Sequence, residues 1–239
     1  SRQDYDVMLV TTRGSRLANL ERMAANHKVD GVILSRSMVK DMAASFLKEQ
    51  QIPFVLMGTS KDENILQVDN DHQAACCELV TGILEKGMNR IGLIGGNKDY
   101  VVNRTRLQGY RDAFRNMKLS LEENLIYNDC DTQDRIEQAV HNLLGRGIQG
   151  IVCMDDMICS TVLQVLDREH IKVPQQMKVA SFYDSTLLRN HEPAVTSLIF
   201  DDKALGVLTC SVLLDFIGGK EVKGRTLSGY EGVYRESTR

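Results

Sequence analysis

The chain has 239 residues, 43% of them apolar and 26% charged, with a formal net charge of −3. That length suits one large domain or two smaller lobes with separate cores, and the acidic balance argues against a module that grips DNA by neutralising phosphates. No run approaches the roughly 18 apolar residues of a membrane span, and the start lacks a basic, apolar signal peptide. The six cysteines, Cys76, Cys77, Cys130, Cys153, Cys159 and Cys210, form no CxxC pair. They read as reduced thiols of a cytoplasmic protein, structural rather than metal-binding. The histidines have no ligand spacing, and HExxH, GxSxG and P-loop motifs are absent. Neither catalytic residues nor a metal site nor a cofactor is expected.

Short apolar runs alternate along the chain with amphipathic stretches. Strands are predicted at 6–10, 31–35, 53–57, 65–69, 90–95, 151–154, 178–182 and 195–200. Their apolarity is continuous, as in strands covered on both faces. Helices are predicted over 38–50, 71–86, 103–117, 133–145, 157–169 and 203–217. In 71–86 a stripe of Ala75, Leu79 and Ile83 runs from a cap at Asn70 or Asp71 to Gly87. This rhythm predicts an α/β protein with doubly wound parallel sheets.

The rhythm breaks at 58–70, at 193–203 and in the extended tail after Arg225. Three non-helical crossings predict two α/β lobes joined by a three-strand hinge. The expected lobes are 1–68 plus 199–226, and 69–198 plus 227–239. Such a plan holds small ligands in a cleft.

In doubly wound sheets, ligands sit beyond the carboxyl ends of the strands. Asp69, Asn70, Asp155, Asp156, Tyr183 and Asp184 stand there, with Thr12 and Arg13 after the first run. Carboxylates and amides pair with adjacent hydroxyls of a polyol, and the ring of Tyr183 or Tyr100 can face a sugar. Plainer roles fit as well. Asp156 suits the N-cap of 157–169, Asp69 or Asn70 that of 71–86, and Asp184 a turn.

The segment Val101–Phe114, VVNRTRLQGYRDAF, carries three closely spaced arginines. On a helix, Leu107, Tyr110, Ala113, Phe114 and Met117 form the inner face, and Arg104, Arg111 and Arg115 the outer one. Arg106 projects inward. In a first turn the helix dipole disfavours it by roughly 0.3–1 kcal/mol, so it needs an acceptor, either an internal carboxylate or a ligand oxygen.

Eight stretches occur together in order: VDGVIL (29–34), VDND (68–71), KGMNRIGLIGG (86–96), RTRLQGYRDAF (104–114), MDDM (154–157), VPQQMKVASFYD (173–184), EPAVTSL (192–198) and VYREST (233–238). With them, the chain from about Asp4 to Arg239 resembles the effector-binding region of the lactose/galactose-repressor (LacI/GalR) family of bacterial transcription factors. The resemblance implies two periplasmic-binding-protein-like (type I) lobes and a sugar, sugar phosphate or related metabolite as effector. It also implies a homodimer that meets operator DNA only through a helix-turn-helix headpiece, with no membrane partner.

The resemblance assigns Arg106 to effector contact, matches Asp155 to a position where asparagine is usual, and matches Asp69 to the interlobe strand motif. Tyr183 stands where the family often has a ligand-binding aspartate. Together with Arg104, Arg106 and Arg13, that departure points toward a phosphorylated or acidic sugar. The chain reads as beginning at the family's second strand, with the first strand, its helix and the headpiece lying upstream. Met38 and Met42, beside the inner face of the 38–50 helix (Val39, Ala43, Phe46 and Leu47), are candidates for a dimer contact. The leading function is a ligand-sensing regulator core. The alternatives are a transport solute-binding protein, which the free cysteines disfavour, and an enzyme using Asp155 and Asp156, which adjacent strand positions disfavour because they face opposite ways.

Overall fold

The computed structural model describes residues 5–11, 17–26 and 28–239. In chain order its first elements are α1 (Ala18–Ala25), β1 (Val32–Leu34), α2 (Met42–Glu49), β2 (Phe54–Met57), β3 (Leu66–Asn70), α3 (His72–Glu85), β4 (Ile91–Ile94), α4 (Val101–Asn116) and β5 (Ile126–Tyr127). Then follow α5 (Gln133–Leu144), β6 (Gly150–Cys153), α6 (Asp156–Arg168), β7 (Lys178–Ser181), α7 (Thr186–Arg189), β8 (Thr196–Ile199), α8 (Asp202–Ile217), β9 (Arg225–Ser228) and β10 (Glu231–Val233).

The chain divides into two compact units. One is the chain through Val68 with Gly206–Thr226; the other is Asp69–Leu205 with Leu227–Arg239. The first unit carries a sheet in the order β1-β2-β3-β9, with β1, β2 and β3 parallel. The second carries β10-β8-β7-β6-β4-β5, parallel except for the β10–β8 pair. Each unit has its own apolar cluster, as the alternating pattern predicts.

Residues 199–205, expected with the first lobe, group with the second unit. The cause is local: Phe200 joins that unit's core and stacks near Tyr183.

Caps set several boundaries. Asp41 accepts from Ala44 N at 3.0 Å and Met38 N at 3.2 Å, so α2 starts at Met42 and the expected helical residues 38–41 precede it. Val39, expected in the core, is exposed. Asp71, not Asp69 or Asn70, caps α3 through Ala74 N. Asp155, not Asp156, caps α6 through Ile158 N at 2.9 Å. Each such cap stabilises its helix by about 1 kcal/mol.

The run at 6–10 is not a strand. No ladder pairs it among the described residues, and Val7 and Leu9 stand exposed. Apolar composition suits a buried strand, but only hydrogen-bonded neighbours make one. Two helices stand outside the predicted set: α1 and the single turn α7. No described helix is long and apolar enough to cross a membrane.

In the second unit β4 and β6 are buried throughout, as strands covered on both faces must be. Tyr110 on α4 is fully buried and donates from its hydroxyl to Ile91 O at 2.8 Å, tying the helix to β4. Helices α3 and α4 approach so closely at Gly109 that a Cβ there would lie 2.4 Å from Gln73 O and 2.9 Å from Cys76 Cβ. Backbone cannot yield as a side chain does. Gly109→Ala is therefore expected to destabilise the protein by about 1–3 kcal/mol. Gly206→Ala, in α8 with nothing within 4 Å, should gain about 0.5–1 kcal/mol from helix propensity. Denaturant midpoints of the two variants check the opposite signs.

Candidate functional site

The site is built on the second unit, from residues at the carboxyl ends of β6, β7 and β8, from Asp69 and Asn70, which lead into α3, and from α3 and α4 themselves. Helix α4 begins at Val101, two residues before the predicted start, because extended Tyr100 occupies its N-cap position. Arg106 is thus its sixth residue, in the second turn, and the dipole penalty expected in a first turn does not apply. Burial is what makes Arg106 demanding. It sits on the inward stripe with Asn103, Gly109, Tyr110 and Ala113, only 6% exposed.

Its partners are few. Nη1 donates to Met154 O at 2.7 Å, and Nε donates to His72 Nδ1 at 3.4 Å. Among the described residues no carboxylate lies within 4.0 Å of it, and Nη2 has no hydrogen-bond partner. The internal salt bridge that would have explained an inward arginine is therefore not made there. Desolvation lowers its pKa; the negative charges of Asp155 and Asp69 act against that from further off.

Two aromatic faces flank the guanidinium, the rings of Tyr183 and Phe200, each 5.9 Å from its carbon. The two rings stack at 6.2 Å. Tyr183 is fixed by a short hydrogen bond from its hydroxyl to Asp202 in the first turn of α8. Partial burial and that bond push its pKa up to about 12, so it stays a neutral donor at ordinary pH.

Beneath Arg106 lies a second buried pair. Asp69 Oδ1 accepts from Asn70 N at 2.9 Å and stands 3.4 Å from His72 Nε2. His72 opens α3 and meets Phe200 edge-on at 4.6 Å between centroids. Neighbouring Asn70 buries its Oδ1 without a partner among the described residues.

Of the expected site residues, Arg106, Asp69, Asp155 and Tyr183 come together in this way. Asp156 contributes its charge near Tyr183. Arg104 is exposed and donates from Nε to Lys98 O at 2.6 Å. Tyr100 is half-buried at the start of α4, and Arg13 lies outside the described residues. Asp184, read as a turn residue, turns its side chain inward, where it is 4% exposed. Its oxygens accept from Arg235 at 2.8 and 3.2 Å and from Ser197 Oγ at 2.7 Å, a bracing ion pair. His72, Phe200, Asp202 and the Met154 carbonyl were not foreseen. Phe200 ends the apolar run of β8, so its position beside the strand-end aspartates was available in the pattern.

Among the described residues no cluster of three or more histidine, cysteine or acidic side chains is placed to hold a metal. A cavity of about 300 Å³ in the first unit, lined by Met8, Leu9, Asn19, Arg22, Met23 and Lys28, contains none of the described site residues.

Residues 80–238 match the model of the periplasmic binding protein-like domain. The transcriptional regulator CelR of Thermobifida fusca is 28% identical over 92% of this chain and 66% of its own length. A CelR–cellobiose complex superposes with a TM-score of 0.82 at 29% identity, covering 91% of this chain and 69% of that one. A LacI-type regulator of Bacillus cereus subsp. cytotoxis superposes with a TM-score of 0.86 at 27% identity, over 91% and 79% of the two chains. The chain spans about two thirds of the length of CelR and of a Streptomyces coelicolor MalR regulator.

The site carries a pH signature. Burial depresses the His72 pKa below 6.5, with Arg106 adding to the effect and Asp69 and Asp71 opposing it. The unfolded chain therefore binds the proton more readily. Stability attributable to neutral His72 is complete above about pH 6.5 and declines as pH falls toward the lower folded value. Denaturant unfolding between pH 7.5 and 5 is expected to show the parent losing more stability than His72→Asn.

Proposed function

The chain belongs to the periplasmic-binding-protein-like family, within the effector-binding regions of LacI/GalR-type regulators, and on that premise we propose that it senses a sugar and alters operator binding of the whole protein. The observation that carries the proposal is Arg106: a largely buried guanidinium whose Nη2 has no protein partner among the described residues and still reaches solvent, near two aromatic rings. A sugar hydroxyl accepting from Nη2 takes the place of water at the one guanidinium nitrogen that still reaches solvent. Asp155, whose Oδ2 is not used in capping, and Asp69 supply acceptors for further hydroxyls, and Tyr183 offers a ring face.

The effector proposed is neutral. The case for a phosphorylated or acidic sugar relied on three arginines. Arg104 is tied to Lys98 O at the surface, and Arg13 lies outside the described residues. One guanidinium with Asp69, Asp155 and Asp156 nearby is a poor field for an anion. The CelR structure is a complex with cellobiose, a neutral disaccharide.

The relatives are named regulators rather than enzymes or transport components, which favours a non-enzymatic role in the cytoplasm. Operator contact is proposed to lie in a DNA-binding segment outside these 239 residues. The whole protein is proposed to be a homodimer, and exposed Val39 and Met42 supply spare apolar surface for the contact. Sedimentation of the whole protein at micromolar concentration should show a dimer; a monomer there contradicts that part.

A thermal-shift screen of neutral sugars and sugar phosphates, followed by calorimetry on variants, tests the site. Arg106→Ala should weaken binding of a hit about ten- to a hundredfold, the effect of losing one charge-assisted hydrogen bond. Arg111→Ala, which removes only a surface pair with Glu123, should bind like the parent. Unchanged affinity in Arg106→Ala contradicts the proposal, as does stabilisation by sugar phosphates alone.

A further inference from the structure

We infer that His72 is a positioning residue for Arg106, acting as a neutral imidazole that is protonated on Nε2 and accepts at Nδ1. This rests on the reading of Arg106 as the effector-holding group and adds how that group is held.

The geometry admits one tautomer. Nε of an arginine is always a donor, so His72 Nδ1, 3.4 Å away, must be the unprotonated acceptor. The ring proton then sits on Nε2, which faces the Asp69 carboxylate at 3.4 Å in a long electrostatic contact that favours a proton there. Asp69 is in turn held by Asn70 N. The result is a directed arrangement in which the charge of Asp69 biases the ring, the ring accepts from Nε, and Met154 O accepts from Nη1. Two of the three guanidinium nitrogens are thereby committed. Because the group is planar and rigid, fixing those two fixes the third. Nη2, the remaining nitrogen, is the one without a partner.

The alternatives are less favourable. The opposite tautomer sets two N–H groups against each other and leaves Asp69 facing a lone pair. An imidazolium does the first of these and adds a second cation beside a buried one. The edge-on contact with Phe200 holds the plane of the ring, so it cannot swing to escape either clash. Asp71 belongs to the same helix start but is engaged as the cap of α3. Cys76 and Asp155 act on Arg106 only at longer range.

The test reads the contact without an effector. In protein labelled with ¹⁵N-arginine and ¹⁵N-histidine at pH 7, His72 is expected to show a protonated Nε2 and an unprotonated Nδ1. The Nε–H of Arg106, assigned by its loss in Arg106→Lys, is expected to exchange slowly with water. In His72→Phe, which keeps the aromatic contact and removes the acceptor, that exchange should accelerate about tenfold or more. In His72→Asn, whose Oδ1 can replace Nδ1 as acceptor, it should return to within about threefold of the parent. An Nδ1-protonated or charged ring in the parent overturns the inference even if no variant folds. Equal exchange in the parent and His72→Phe overturns it too, as does failure of His72→Asn to restore protection. Titration with cellobiose separates the layers. Where cellobiose binds the parent, affinity should follow the same order across the variants, and a different order overturns the inference. Failure of cellobiose and the other sugars to bind the parent counts against the functional reading, while exchange still decides the contact.

Discussion

A guanidinium taken out of water keeps its charge, and Arg106 is such a group. Removing it from solvent costs several kcal/mol, and its neighbours return only part of that: one carbonyl, one imidazole nitrogen and two ring faces. The rest of the site is organised around this shortfall. Asp69 and Asp155 lower the potential without touching the group. Tyr183 and Phe200 turn electron-rich ring faces toward it, each 5.9 Å from its carbon. A cation held on two nitrogens, with the third left facing solvent and no protein partner among the described residues, presents one fixed donor to an acceptor of the right shape, which is the property a sensing site requires.

That arrangement depends on packing some distance away. Arg106 reaches the carboxyl end of the sheet because α4 lies tightly on α3, and it does so because Gly109 lets the backbones meet. Tyr110 then ties α4 to β4 through the Ile91 carbonyl. On the opposite side, the Asp184–Arg235 pair braces the loop that presents Tyr183, and Asp202 holds its hydroxyl. Tyr183 is therefore held from two directions before anything binds, which lowers the ordering cost of recognition.

The longer helices and the apolar strands of both units were legible because their patterns are redundant, several consecutive apolar residues or a stripe sustained over four turns, whereas the short β5, β9 and β10 carry no such run. The inward aim of Arg106 followed from the same periodicity. What escaped depended on contacts that no local pattern encodes. The run at 6–10 has the composition of a strand but no neighbour among the described residues. Asp155 and Asp156 differ by one place, and only backbone angles decide which of them caps α6. His72 looks like an unremarkable first residue of a helix; its significance comes from Arg106, 34 positions later, and Phe200 just beyond β8. Asp184 gave no sign of its partner 51 residues further on.

The most direct measurement of the central claim is a crystal structure of this protein with the sugar that stabilises it in solution. The account predicts a sugar oxygen within about 2.7–3.2 Å of Arg106 Nη2, with Nη1 still on the Met154 carbonyl and a ring face against Tyr183. A sugar seated elsewhere, with Nη2 of Arg106 still without a partner, would contradict it.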